Sequence, residues 1–423
     1  PEENEKRPEE NENSDDKKKL LEKAKQEFLE THKEILSLTV DTIGMEYEQA
    51  LNKALEAYGK LDKSVQEELR TEKQLLDSLR EKLNQISDID DEGILNREIY
   101  RRFKSSAPNS EVTQYIYNNE VRTILWVRGV KALNMQQDGS GDFKKFETPG
   151  QYIDYHAPFK NGQGWYDVNK SRTDDDDVSL CFAATASNSL HWWLKENDSY
   201  VQRYIQKQIE NGYYDNISDE NISPTRDLRK LVDSYKSQQD SMIFNKFKID
   251  FGNKIRGFFA DIVEDYFING HTPKDGGGTN VPGRDFEKNP KAGFFNDVFG
   301  SNILTERMYS GRYDTFGRDV KNKISQGKIL AVQHSAFNGF VDHVITIWAA
   351  EFNTRGEITA IYVTDSDDQY QESQLGMKRY IVKNVNGYAR TTSSINPATR
   401  GAEINFLYTL DLGTQYWEKY FAE

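Results

Sequence analysis

Apolar residues recur at helical spacing through the N-terminal region. Leu51, Ala54, Leu55, Tyr58 and Leu61 fall on one stripe, and Val65, Leu69, Leu76, Leu79, Leu83 and Ile86 fall on a second whose spacing is close to a heptad. Gly59 interrupts the run, so residues 17–109 are predicted to form an N-terminal helical bundle of two or three antiparallel helices, with a short coiled-coil dimer as the alternative. A short helix within 87–109, ended by the Pro108-Asn109 breaker, places the main domain boundary near that point. Residues 1–16 carry eight acidic against two basic side chains and no large apolar residue, and are predicted to be a disordered tail.

Beyond Glu111 the apolar runs shorten and gain β-branched and aromatic residues, as in Val121-Arg-Thr-Ile-Leu-Trp-Val127, which reads as a strand. Helices are predicted at about 182–196, 199–211, 223–239, 241–268 and 315–326, with a Gly/Pro-rich loop at 271–290. Strands follow at 329–335, 342–352, 357–364, 377–385 and 404–410. Helices first and sheet second imply an α+β domain over residues 110–423, with a helical layer on a mainly antiparallel sheet.

Within 164–193 stands Cys181, the only cysteine in the chain. The segment that follows, FAATASNSLHWW, mixes small and large apolar residues as a closely packed helix does, so Cys181 is placed at a helix start. There the peptide dipoles and first N–H groups favour a thiolate and offer a donor to an oxyanion. The plainer reading is a lone buried cysteine acting as a small apolar residue. Composition narrows the field: a net charge of −14 argues against nucleic acid or an anionic membrane as partner and suits a protein substrate. No apolar run is long enough for a membrane span and no signal peptide is read, so the chain beginning at Pro1 looks mature or trimmed. A single cysteine excludes internal disulfides without fixing the compartment.

A cysteine nucleophile needs a base. His32 belongs to the helical bundle, and His191 lies on the cysteine's own helix about 15 Å along its axis at ~1.5 Å per residue, so both read as structural. His156 and His271 stand in loop-like contexts, which leaves His334 and His343. His343 lies in a strand joined to the next by Asn353-Thr-Arg-Gly356. Folding that hairpin pairs positions summing to about 709, which sets His343 opposite Ser366, between Asp365 and Asp367. A one-residue bulge or strand-end twist is then needed before either carboxylate meets the ring. The acidic run at 365–368 lacks the glycine and glutamate positions of a calcium loop, having Tyr370 and Gly376 there. Asp174 to Asp177 read as solvated acids, the glycines at 276–278 lack phosphate-loop order, and no cluster offers a zinc site, so neither cofactor nor metal is expected.

GWYDVNK, LCFAATASNSLHWW, DHVITIWAAEF, AIYVTDSD and GMKRYIV, in order between Glu111 and Leu412, resemble the Mac/IdeS family of streptococcal secreted cysteine endopeptidases that cleave immunoglobulin heavy chains. The resemblance implies a papain-like fold and assigns Cys181 as nucleophile, His343 as base, Asp365 as the residue that orients it, Asp367 as an auxiliary carboxylate and Lys170 as an oxyanion-hole contributor. It implies a secreted, extracellular protein, a monomer without cofactor, whose partner is the heavy chain of IgG or IgM. The residue after the nucleophile, glycine in better-known members, is Phe182, and one extra residue separates Lys170 from Cys181. These departures motivate the competing reading, a non-catalytic binder of immunoglobulin or a host receptor on a protease-like fold.

Overall fold

The computed structural model describes residues 12–40, 42–89, 93–171, 177–215, 224–252, 259–271, 292–336, 341–368 and 376–422. The chain divides into two compact units, Pro1–Ile94 and Leu95–Glu423. The first contains α1 (Glu12–Thr31), α2 (Lys33–Leu36), α3 (Glu48–Gly59), α4 (Lys63–Glu68) and α5 (Arg70–Ile89). Its core joins Phe28, Ile35, Leu51 and Ala54 to Val65, Leu69, Leu76, Leu79 and Leu83, so the two apolar stripes are buried against each other within one chain. Asp62 caps α4, its carboxylate accepting from the Ser64 N–H at 2.9 Å. Helix α1 begins at Glu12, inside the stretch expected to be a disordered tail.

The second unit opens with α6 (Arg97–Ser106), β1 (Val112–Tyr117), β2 (Glu120–Trp126), β3 (Lys144–Thr148) and β4 (Tyr152–Ala157). Helices α7 (Cys181–Glu196), α8 (Asp198–Glu210) and α9 (Leu228–Leu231) precede the short strands β5 (Tyr235–Ser237) and β6 (Asp240–Ser241). Then come α10 (Met242–Phe251), α11 (Ala260–Asn269), α12 (Asn296–Phe299), β7 (Thr305–Tyr309) and α13 (Tyr313–Ser325). The chain closes with β8 (Ile329–Ala336), β9 (Val341–Phe352), β10 (Ile358–Thr364), β11 (Met377–Val385), β12 (Tyr388–Thr392), β13 (Ala402–Leu410) and α14 (Thr414–Ala422).

The expected mixture of helices with an antiparallel sheet is what the chain forms, and the sheet closes on itself. Each of β8 to β13 pairs antiparallel with the next, and β13 returns to β8. β9 is long enough to serve two neighbours along one edge, β8 against residues 341–347 and β2 against residues 349–352. Helix α7 packs on this sheet with every residue from Phe182 to Leu194 buried. Alanine and serine on its faces let strand and helix backbones approach closely, and burial on all sides explains why its sequence carries no clean amphipathic stripe.

Several segments differ from the sequence reading. Helix α6 belongs to the second unit: Ile99, Phe103 and Ala107 join its core, and the rings of Phe103 and Phe352 lie 5.3 Å apart. The helix expected over 223–239 is a single 3-10 turn at Pro224–Arg226, then α9, then β5. Asp227 caps a new helix there, which ends where Val232 turns extended, and Asp233 follows at φ 52°. The helix expected over 241–268 is two, the first ending at Gly252 with φ 59°. His156, read as a loop residue, lies on β4 with its ring stacked on Phe146 at 4.3 Å. Glycines 276–278, Asp174 to Asp176 and most of the 271–290 loop lie outside the described residues.

Helix α11 buries Asp261, Glu264 and Asp265. Burial pushes the Asp265 carboxyl up to about 8, although the Thr305 hydroxyl donates to it at 2.9 Å. In the unfolded chain the same group titrates near 4. Its folded pKa is therefore the raised one, and the stability it contributes is present below about pH 4 and is lost as pH rises through about 8. We expect the melting temperature to fall between pH 6 and 9 and Asp265→Asn to flatten part of that decline, read by circular dichroism.

Candidate active site

The approach to the site is set by Gly164, which at φ 78° brings the following chain so close to Gly129 that an added Cβ would lie 1.9 Å from the Gly129 carbonyl oxygen. The GWYDVNK segment is thereby held against α7 and the sheet. Asn188, one of the polar residues inside α7, ties the three together. Its carbonyl accepts from the Val168 N–H at 2.9 Å and its amide donates to Thr346 on β9 at 3.1 Å and Thr364 on β10 at 3.4 Å. Thr364 in turn donates to the Tyr166 carbonyl at 2.9 Å. Nearer the cysteine, Thr185 donates to the Val344 carbonyl at 3.1 Å, one turn from Cys181 and one residue from His343. Cys181 and His343 are thus fixed to each other by helix-to-strand hydrogen bonds through buried side chains.

Cys181 is the first residue of α7, after Leu180, which has no capping oxygen. Burial alone would raise the thiol pKa. The hydrogen bond and charge of His343, the charge of Lys170 and the Val344 N–H outweigh burial and hold it below its ordinary value. The His343 Nε2 lies 2.6 Å from Asp365 Oδ1 and 3.6 Å from Asp367 Oδ2. With Nε2 so engaged, Nδ1 is the nitrogen left for the sulfur. Burial disfavours the imidazolium, but Asp365 and Cys181 prevail and keep the His343 pKa well above its usual value. Asp365, equally buried, is held well below the carboxylate range by His343, Lys378 and the Asp367 N–H.

The strand register explains how the ring meets its acid. The β9–β10 ladder shifts between Tyr362 and Val363 and ends at Thr364 opposite Thr346, so Asp365 leaves the strand at the level of His343. Lys170 is 2.5 Å from Asp367 Oδ1 and donates to the Val178 carbonyl at 2.8 Å, while its backbone N–H donates to the Ser366 carbonyl at 3.0 Å. All five residues singled out in the sequence therefore stand together. Two further buried histidines have other partners. His191 bonds Ser241 at 2.7 Å, with burial pushing it down to about 3. His334 pairs with Thr391 at 3.1 Å, and burial lowers it to about 4. Phe182 is buried in the core.

Among the described residues, His343, Asp365 and Asp367 form the group with metal-ligand spacing, their ligand atoms within 4.8 Å of one another. The Lys170 ammonium beside Asp367 and the His343 ring beside Asp365 already supply cationic partners there. Sequence reasoning passed over Asn188, Thr185, Asp167, Asp368 and Lys378. The one available signal was Asn188 and Thr185 lying in an otherwise small and apolar helix, where a polar side chain needs a partner.

Residues 64–417 match the model of the Mac-1 family. The chain belongs to the Mac-1 family. A curated relative, described as an IgM protease of Streptococcus suis (strain P1/7), is 39% identical over 306 residues. That alignment takes in 72% of this chain but 26% of the relative's length, so the chain spans about a quarter of the curated protein it matches. The Mac-1 match begins within the helical N-terminal unit and ends within α14, including every residue of the candidate site. No helix among the described residues of this Mac-1 protein is long and apolar enough to cross a membrane.

Proposed function

We propose that the chain is a secreted cysteine endopeptidase with a papain-like catalytic domain that cleaves immunoglobulin heavy chains, IgM before IgG. The observation that carries the reading is a cysteine at a helix start, hydrogen-bonded to a histidine that a buried aspartate holds at 2.6 Å. The similarity to an IgM protease supports the choice of substrate.

His343 and Cys181 form a thiolate–imidazolium pair, and the sulfur attacks the scissile carbonyl carbon. The oxyanion is met by the Cys181 N–H and by Lys170. That ammonium has three N–H groups, of which one goes to Val178 and one to Asp367. His343 gives its proton to the leaving amine, then takes one from the water that hydrolyses the acyl-enzyme. Asp365 keeps the ring oriented throughout and stabilises its charged form whenever it holds the second proton. Asp367 spaces Lys170 from His343, separating the two cations. Incubation of the full chain with purified IgM and IgG, with heavy-chain fragments resolved on a gel, tests the substrate. Fragments of the IgM heavy chain are expected, and intact heavy chains from both isotypes would refute the reading.

The N-terminal helical bundle supplies no nucleophile or base and acts as a second contact on a multidomain substrate. A fragment Leu95–Glu423 is expected to fold and retain heavy-chain cleavage with weaker substrate binding, read as raised KM at near-unchanged kcat. Starting instead at Ser110 removes Ile99 and Phe103 from the core, and truncating a buried Phe alone costs about 3–5 kcal/mol, so that shorter fragment is expected to be unstable. A folded Leu95–Glu423 fragment without activity would contradict the role assigned to the bundle.

A further inference from the structure

Behind the His343–Asp365 pair lies a second ion pair that the mechanism above leaves unused. Lys378, on β11, donates from Nζ to Asp368 Oδ1, and the Asp368 side chain is almost wholly buried. The Asp368 N–H donates to the Asp365 carbonyl at 3.2 Å, so the carboxylates that hold His343 and Lys378 belong to one turn. A third buried carboxylate, Asp167, accepts from the Gln238 amide and from the Gly376 N–H. Among the described residues, Oδ1 of Asp167 and Oδ2 of Asp368 find no hydrogen-bond partner. Three buried acids therefore face a single ammonium.

We propose that Lys378 and Asp368 are positioning residues that act on the reaction through Asp365, their ion pair fixing the charge behind the carboxylate that holds His343. This rests on the assignment of Cys181, His343 and Asp365 given above. The groups facing Lys378 are Asp365 and Asp368 after β10, Asp167 ahead of α7, Asp154 and His156 on β4, and Tyr380 on β11. His156 is its direct cross-strand neighbour, and burial followed by the Lys378 charge keeps that ring neutral. Burial disfavours the Lys378 ammonium, but Tyr380, Asp368 and Asp365 hold it protonated. Burial pushes both Asp167 and Asp368 upward; the Lys378 ammonium beside Asp368 Oδ1 keeps the charge on Asp368, so the proton the pair shares rests with Asp167. Lys378 thus cancels Asp368, and one net negative charge, that of Asp365, remains to face His343. Removing the ammonium would add uncompensated negative charge near the imidazolium and raise its pKa. Removing the Asp368 charge would leave the ammonium unbalanced and lower it.

Because the chain has a single cysteine, the rate of iodoacetamide alkylation against pH reads Cys181 alone and needs no proteolytic substrate. Two steps are expected in the full chain, thiolate formation and, at higher pH, loss of the His343 proton. Lys378→Met should move the second step up and Asp368→Asn should move it down. Each shift should be roughly one pH unit, the size set by one charge several ångströms away at an effective dielectric of about 20. Lys378→Arg should leave the step near its original place, and the double variant Lys378→Met/Asp368→Asn should bring it back toward that place. A purely structural role would not give opposite shifts from the two halves of one pair. If circular dichroism shows Lys378→Met unfolded, Asp368→Asn and the double variant carry the test. Steps that stay put, or that move the same way in both single variants, overturn the inference. A His343→Ala chain that keeps both steps would instead refute the assignment of the catalytic pair itself.

Discussion

Cys181→Ser is expected to lower heavy-chain cleavage by a factor on the order of 10⁴ or more while leaving the fold intact. The substitution keeps the shape of the helix start but replaces a thiol, held below its ordinary pKa by His343, Lys170 and Val344 against the cost of burial, with a hydroxyl that does not ionise near neutral pH. The surrounding hydrogen bonds from Thr185 and Asn188 to β9 are untouched, so melting temperature should change little. Cleavage assays at matched enzyme concentration, with circular dichroism as the control for folding, read both outcomes. Cleavage at an undiminished rate would remove Cys181 from the mechanism.

Asp365→Asn is expected to cost roughly a hundredfold or more in kcat. Asparagine preserves the volume at the end of β10 but withdraws the charge that lies 2.6 Å from the His343 ring. Two effects follow with the same sign. Without the carboxylate, burial dominates and the His343 pKa falls, so the alkaline limb of kcat/KM moves to lower pH. A less stable imidazolium also supports the Cys181 thiolate less well, so the acid limb moves to higher pH. The bell narrows from both sides, and a pH profile of kcat/KM reports it directly. There is also a stability consequence. A depressed carboxyl contributes stability above its unfolded pKa of about 4 and loses it as pH falls, so the variant should be less acid-labile relative to its own neutral stability than the unsubstituted chain.

Cys181 was legible as the candidate nucleophile because it is the lone cysteine and because small residues after it signalled a packed helix. The long strands β8 to β11 and β13 were legible from uninterrupted β-branched and aromatic runs. What stayed hidden has physical causes. β3 reads Lys-Lys-Phe-Glu-Thr and is mostly exposed, so no alternation of buried and exposed positions marks it. Helix α6 looked like part of the N-terminal region because chain proximity and an amphipathic pattern do not say which core a helix serves; Phe103 against Phe352 does. The hairpin arithmetic brought His343 to Ser366, between the two aspartates, and the ladder shift after Tyr362 that frees Asp365 is a local backbone event without a sequence signature of its own. Asp368 and Lys378 were invisible for a related reason, since their meeting depends on where β11 begins beside β4. The place of Lys170 came from the family resemblance, as no periodicity marks a lysine that reaches Asp367 from a preceding loop.

The most direct test of the central claim uses the single thiol as its own control. The full chain is divided in two, one half alkylated at Cys181 with iodoacetamide and verified by intact mass, and both halves are incubated with purified IgM. The account predicts discrete heavy-chain fragments from the untreated half and an intact heavy chain from the alkylated half. The same fragments from both halves, or none from either, would contradict it.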